Sequence, residues 1–122
     1  MSGDEQGSLR LVETSRHMRL GTRFEVQQIA CDGTITLVLA GELDLGSRPV
    51  LEACLTEAPE GETSTVVLDL SKLTLIGSAG VGALLHAARH CAENGVELLV
   101  VPGQGAARRA LELAGVLDQL QT

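Results

Sequence analysis

The chain of 122 residues is one domain's worth of polypeptide, 44% apolar but 1% aromatic, with Phe24 alone representing Phe, Tyr and Trp. Its core is therefore Leu, Val, Ile and Ala, in a domain large enough to bury roughly two thirds of its unfolded surface. A net charge of -7 and the lack of aromatic stacking platforms argue against nucleic acid as a direct partner. Cys31, Cys54 and Cys91 are odd in number and lack CxxC spacing, which argues against a disulfide frame or a thiolate zinc site. Free thiols, an N-terminus with no basic n-region or apolar h-region, and no apolar run of roughly 18 residues point to a cytoplasmic protein without direct membrane insertion.

Residues 1 to 22 are polar and carry three acids against three arginines. They read as a flexible lead-in, with a short docked helix around Leu9 to Met18, to a domain at residues 23 to 122 that holds all the excess negative charge. Phe24-Glu25-Val26-Gln27 alternates as a strand, Asp32-Gly33 is a two-residue hairpin turn, and Thr34 to Ala40 is a second strand. Ser47 is a candidate N-cap and Pro49 fits a first helical turn, where a missing N–H costs nothing. Leu51, Cys54, Leu55 and Ala58 then recur at helical spacing until Pro59 stops the helix.

Thr65 to Leu70 is an apolar strand interrupted by Asp69. Ser78 opens an amphipathic helix with Val81, Leu84, Leu85, Ala88 and Ala92 on one face and Asn94-Gly95 at its end. Val96 to Val101 is a buried strand, Pro102-Gly103 a turn, and Ala106 to Ala114 a last helix closed by Gly115. The fold class is α/β: a mixed sheet of about four strands, an N-terminal antiparallel hairpin followed by parallel crossovers, covered by helices.

In such sheets ligands and partners meet the carboxyl ends of the parallel strands. Two segments leave the sheet there, Gly41-Glu42-Leu43-Asp44 and Leu75-Ile76-Gly77-Ser78-Ala79-Gly80, which places an acidic loop beside a hydroxyl at a helix N-terminus. The first amides of a helix lack intrahelical acceptors and carry the positive end of its dipole, so a hydroxyl there caps the helix or, phosphorylated, holds a stabilised dianion.

Other chemistry is less well supported. Gly77, Gly80 and Gly82 stand in the wrong order for GxGxxG, no Lys follows as in a P-loop, and Glu97 opens its strand, so dinucleotide binding is set aside. His86 and His90, spaced i, i+4, point off the apolar face and have no third ligand; they read as a solvated helix face, and no metal is expected. Cys54 and Cys91 read as small apolar residues. Asp69 is either a rim charge or a polar strand end, and Arg108-Arg109 forms surface pairs.

Gly41-Glu42-Leu43-Asp44, Val66-Val67-Leu68-Asp69-Leu70 and Ile76-Gly77-Ser78-Ala79-Gly80-Val81-Gly82 together resemble the STAS domain family. Asn94-Gly95 and Leu113-Ala114-Gly115-Val116-Leu117 agree, and the resemblance covers about residues 23 to 120. It implies a stand-alone anti-sigma factor antagonist, an anti-anti-sigma factor without enzymatic activity or cofactor. Its partner would be an ATP-binding anti-sigma factor serine kinase that phosphorylates Ser78 and so breaks the complex, with a phosphatase restoring it. Gly41, Glu42, Asp44, Gly77, Ala79 and Gly80 would border the partner-binding face. The family usually has Asp where this chain has Gly77, and Ser where it has Ala79. Because the family also supplies cytosolic domains of sulfate transporters, the other role implied is an accessory or scaffold subunit of a transporter or signalling complex, in which Ser78 is only a cap.

Overall fold

The computed structural model describes residues 10–19, 22–57 and 63–120. Its elements in order are β1 (Arg10–Arg19), β2 (Thr22–Cys31), β3 (Thr34–Leu43), α1 (Arg48–Glu57), β4 (Thr65–Ile76), α2 (Ser78–Glu93), β5 (Glu97–Val101), α3 (Ala106–Ala114) and α4 (Leu117–Leu120). The strands form one mixed sheet in sequential order, antiparallel from β1 through β3 and parallel from β3 through β5. This is the expected hairpin with parallel crossovers, one strand wider than expected.

The extra strand is β1. Where the lead-in was expected to dock a helix around Leu9 to Met18, Arg10–Arg19 is extended and runs antiparallel to β2, from Arg10 opposite Ala30 to Arg19 opposite Thr22, with a register shift between Leu11 and Glu13. A strand held at a sheet edge by main-chain hydrogen bonds does not need an alternating apolar pattern, so its sequence carries no clear period. Leu9 and the residues before it lie outside the described residues.

The β2–β3 hairpin turns at Asp32 (φ 48°) and Gly33 (φ 81°). Both central residues at positive φ make the tight turn whose twist matches paired strands, which is why an Asp-Gly pair stands there. α1 runs to Glu57; Ala58 and Pro59 lie outside the described residues. β4 continues past the expected Leu70 to Ile76, because register shifts against β3 between Val38 and Ala40 and between Gly41 and Glu42 keep Leu73 opposite Gly41 and buried. A bulge of this kind breaks the sequence period while leaving the ladder intact. α4, a single turn after Gly115, was not foreseen; its Leu120 is buried.

Burial alternates along the strands. Phe24 and Val26 of β2, Leu37 and Leu39 of β3, Leu68 and Leu70 of β4 and Val100 of β5 share one buried cluster with Leu51 and Leu55 of α1, Ala83, Leu84 and Ala87 of α2, and Leu111 of α3. The helices therefore cover one face. On the other, Val38 and Val67 are half-buried and Leu99 and Val101 are exposed, so β5 is buried on one side where the sequence pointed to a fully buried strand.

The contact face of α2 also differs from expectation. Gly80, Ala83, Leu84, Ala87 and Cys91 are its buried residues, while Val81, Leu85 and Ala88 lie at the margin and Ala92 is exposed. Small side chains at 80, 83 and 87 let the helix sit close to the sheet, and larger apolar residues flank the contact.

Cys91 is fully buried, and that burial raises its thiol pKa above the ordinary value, leaving less thiolate at neutral pH. Cys54 is buried and Cys31 only half-buried. In the native protein iodoacetamide should therefore alkylate Cys31 at least about tenfold faster than Cys91. Mapping alkylated peptides with and without denaturant checks this, and equal native labelling would contradict it.

Candidate functional site

The site is built where the ends of β3 and β4 meet the first turn of α2. Leu43 of β3 lies opposite Ile76 of β4 and Glu42 opposite Leu75. One residue on, the Gly77 N–H donates to the Leu43 carbonyl at 3.0 Å, and the Thr74 hydroxyl donates to the Gly41 carbonyl at 3.1 Å.

Two glycines set the spacing. Gly41 has φ +96°, and a Cβ on it would fall 2.0 Å from the Arg23 carbonyl oxygen. A Cβ on Gly80 would fall 2.6 Å from the Leu43 carbonyl oxygen and 2.8 Å from Ile76 Cγ1. Position 80 thus seats α2 directly against the end of β3, where a methyl group would push it away.

The acidic loop is fixed by Ser47, which is buried. Its hydroxyl donates to the Glu42 carbonyl at 2.8 Å and accepts from the Asp44 N–H at 2.9 Å. The Ser47 N–H in turn donates to Asp44 Oδ1 at 3.0 Å. Ser47 precedes α1 as the sequence suggests, but its hydroxyl reaches back into the loop instead of forward to the helix amides. It thereby locks residues 42 to 47 into one conformation.

Ser78 is the first residue of α2 and is exposed. The N-cap is Gly77, extended at φ -90° and ψ -179°, and it offers no side-chain cap. The cap position thus falls one residue earlier than a capping Ser78 would require. Ala79 and Gly77 are partly exposed and Gly80 is buried, so Gly80 serves the site by close packing while its neighbours form the surface.

The two segments that meet here also carry the half-exposed Glu42 and Asp44 and two apolar side chains that the sequence did not single out, Leu45 (75% exposed) and Leu75 (47% exposed). The signal available was that Leu45 lies between two turn-forming residues and Leu75 just before a strand's end. The remaining candidates lie elsewhere. His86 and His90 stack with ring centroids 6.4 Å apart, and among the described residues no group of three His, Cys, Asp or Glu could hold a metal ion. Asp69 accepts from the Ser71 N–H and hydroxyl at 3.0 and 2.7 Å, a local turn contact. Arg108 pairs with Glu112 on α3, as expected of a surface arginine. No described helix is long and apolar enough to cross a membrane.

This architecture has known counterparts. The anti-sigma factor antagonist SpoIIAA in its unphosphorylated form superposes with a TM-score of 0.66 at 21% identity, over 80% of this chain and 85% of that one. An anti-sigma factor antagonist from Mycobacterium paratuberculosis gives 0.65 at 23% identity, over 93% and 83% of the two chains. The Bacillus cell fate determinant SpoIIAA in its phosphorylated form gives 0.60 at 21%, over 81% and 88%. These likenesses fix the fold; the sequence assignment is independent of them, since residues 25–122 match the STAS domain. With the sequence match covering most of the chain and the fold in agreement, the chain belongs to the STAS domain family.

Proposed function

We propose that this protein is an anti-sigma factor antagonist that binds an anti-sigma factor serine kinase and is switched off by phosphorylation at Ser78, thereby regulating sigma-factor-dependent transcription. The observation that carries the reading is the exposed hydroxyl of Ser78 on the first turn of α2, outside the capping position and beside a rigid acidic loop. The Ser78 oxygen attacks the γ-phosphorus of ATP held by the kinase, the hydroxyl proton passes to a base of the kinase, and ADP leaves. The chain itself supplies only the acceptor, so the reading requires neither a cofactor nor catalytic activity of its own.

The docking surface is Glu42, Asp44, Leu45, Leu75, Gly77, Ser78 and Ala79, with Gly41 and Gly80 holding it in shape. Leu45 and Leu75 supply apolar contact and the two acids charge, a combination usual in a protein interface. A phosphate brings nearly two further negative charges and a bulky group into that surface. That is enough to oppose docking without unfolding the domain, and SpoIIAA, with both phosphorylated and unphosphorylated forms of this fold, provides a precedent.

Ser78→Asp should weaken partner binding at least about tenfold, or about 1.4 kcal/mol. Affinity purification of the wild type and of Ser78→Asp from cell extract, with mass spectrometry of the partners and of the Ser78 peptide, checks it. An ATPase bound to the wild type and lost from the variant, with phosphate on Ser78, supports the switch. Identical partners and an unmodified Ser78 would overturn it in favour of a constitutive scaffold.

A further inference from the structure

Gly82 lacks the reasons that account for its neighbours. It is not among the glycines with positive φ, and it lies inside a helix, where glycine is a net disadvantage. A Cβ there would meet one group within 4 Å, Nη1 of Arg48, at 3.4 Å. The Arg48 guanidinium thus lies over bare α2 backbone, reaching across from α1, while its Nε donates to Glu52 Oε2 at 2.7 Å.

Position 82 is four residues beyond Ser78, so the two share a helix face with Cβ positions about 6 Å apart. The Cα–Cβ direction on a helix tilts toward its N-terminus. The Cβ direction at position 82, where the guanidinium lies, therefore leans back toward the turn that holds Ser78, and a phosphate adds the reach to meet it there. Arg48 and Glu52 are both about one third exposed, and such an ion pair is weak enough to be exchanged for a better acceptor. A phosphate is that acceptor, since its geometry accepts the guanidinium fork bidentately and with more charge than a carboxylate.

We propose that Arg48 is the internal counter-ion of phosphorylated Ser78, leaving Glu52 to take up the phosphate across Gly82. The inference rests on the reading of Ser78 as a phosphoacceptor. Arg48 then acts as a positioning residue that ties α1 to α2 only in the modified state. The exchange also frees the Glu52 carboxylate, so the modified protein presents an additional negative charge near the docking surface. The charged and titratable groups on the elements that meet at this end of α2 are Arg48 and Glu52 on α1, Glu42 at the end of β3, Asp44 on the β3–α1 loop, and His86 one turn past Gly82.

The test introduces phosphoserine at position 78 during translation, so no kinase is needed, and follows the phosphate by 31P NMR titration. A paired guanidinium favours the dianion, which lowers the phosphate's second pKa, ordinarily about 6. The midpoint should rise by about half a pH unit or more in Arg48→Gln and change less in Arg48→Lys, which keeps the charge and loses the fork. Arg89→Gln removes the same charge eleven residues beyond Ser78 on α2, about 16 Å along the axis, and should leave the midpoint in place. Equal midpoints in wild type and Arg48→Gln, or equal shifts in Arg48→Gln and Arg89→Gln, would overturn the proposal. An unmodified Ser78 in cells would instead count against the phosphoacceptor reading, so the two failures are separable.

Discussion

Gly41→Ala should destabilise the domain by roughly 2 to 4 kcal/mol, a large share of the 5 to 15 kcal/mol typical of a folded domain. Two effects add. Alanine resists the φ of +96° at this position, at about 1 kcal/mol or somewhat more. The new methyl would also overlap the Arg23 carbonyl oxygen, a main-chain atom that moves only with the β2–β3 ladder, and overpacking of that kind costs roughly 1 to 3 kcal/mol or more. Gly115 separates the two effects. It caps α3 in the left-handed region at φ 73° with open space where a Cβ would go, so Gly115→Ala should cost only about 1 kcal/mol. Urea denaturation of the two variants beside the wild type measures both values, and a Gly41→Ala midpoint equal to that of Gly115→Ala would contradict the steric account.

The second large effect falls on the opposite partner of the same cross-strand pair. Phe24 lies opposite Gly41 and is fully buried, the largest side chain in a core otherwise made of aliphatic residues and cysteine. Phe24→Ala should cost roughly 3 to 5 kcal/mol, because no other aromatic ring is present to collapse into the void. Phe24→Leu preserves most of the volume and should cost under about 2 kcal/mol. Removing the ring does not relieve a methyl at position 41, whose nearest contact is the Arg23 carbonyl rather than the ring. Thermal unfolding and urea midpoints of the three variants provide the measurements. A Phe24→Ala loss below about 1 kcal/mol would mean that the core near β2 is loosely packed.

These two positions also show what the sequence made legible. The Asp32-Gly33 turn, the Ser78 helix and its Asn94-Gly95 end, and the Gly115 cap follow from local backbone chemistry and stand as expected. The order of strand and helix patterns correctly indicated the hairpin and the parallel crossovers. β1 was hidden because main-chain pairing holds an edge strand whatever its side-chain period. The end of β4 was hidden because a bulge shifts its register. The buried face of α2 was misplaced because Ala83 and Ala87 make its contact, and small residues contribute little to an apolar pattern. At the rim, the placement of Ser78, Glu42 and Asp44 around the ends of two strands was legible. Leu45 and Leu75 were not, since exposure of a leucine depends on what folds around it, and the Arg48 approach to Gly82 joins residues 34 apart in sequence.

The loops at the rim are held by hydrogen bonds to main-chain carbonyls: the Gly77 amide donates to Leu43, the Thr74 hydroxyl to Gly41 and the Ser47 hydroxyl to Glu42. The side chains of Glu42, Leu45, Leu75 and Ser78 contribute little to that framework. Their substitution leaves the scaffold standing, so descendants of a duplicated gene can diverge in whom they recognise while sharing one inherited frame. The two crowded glycines bear the opposite constraint, since at either one a single added carbon collides with main chain. Variation between lineages should therefore concentrate on the exposed rim and spare positions 41 and 80.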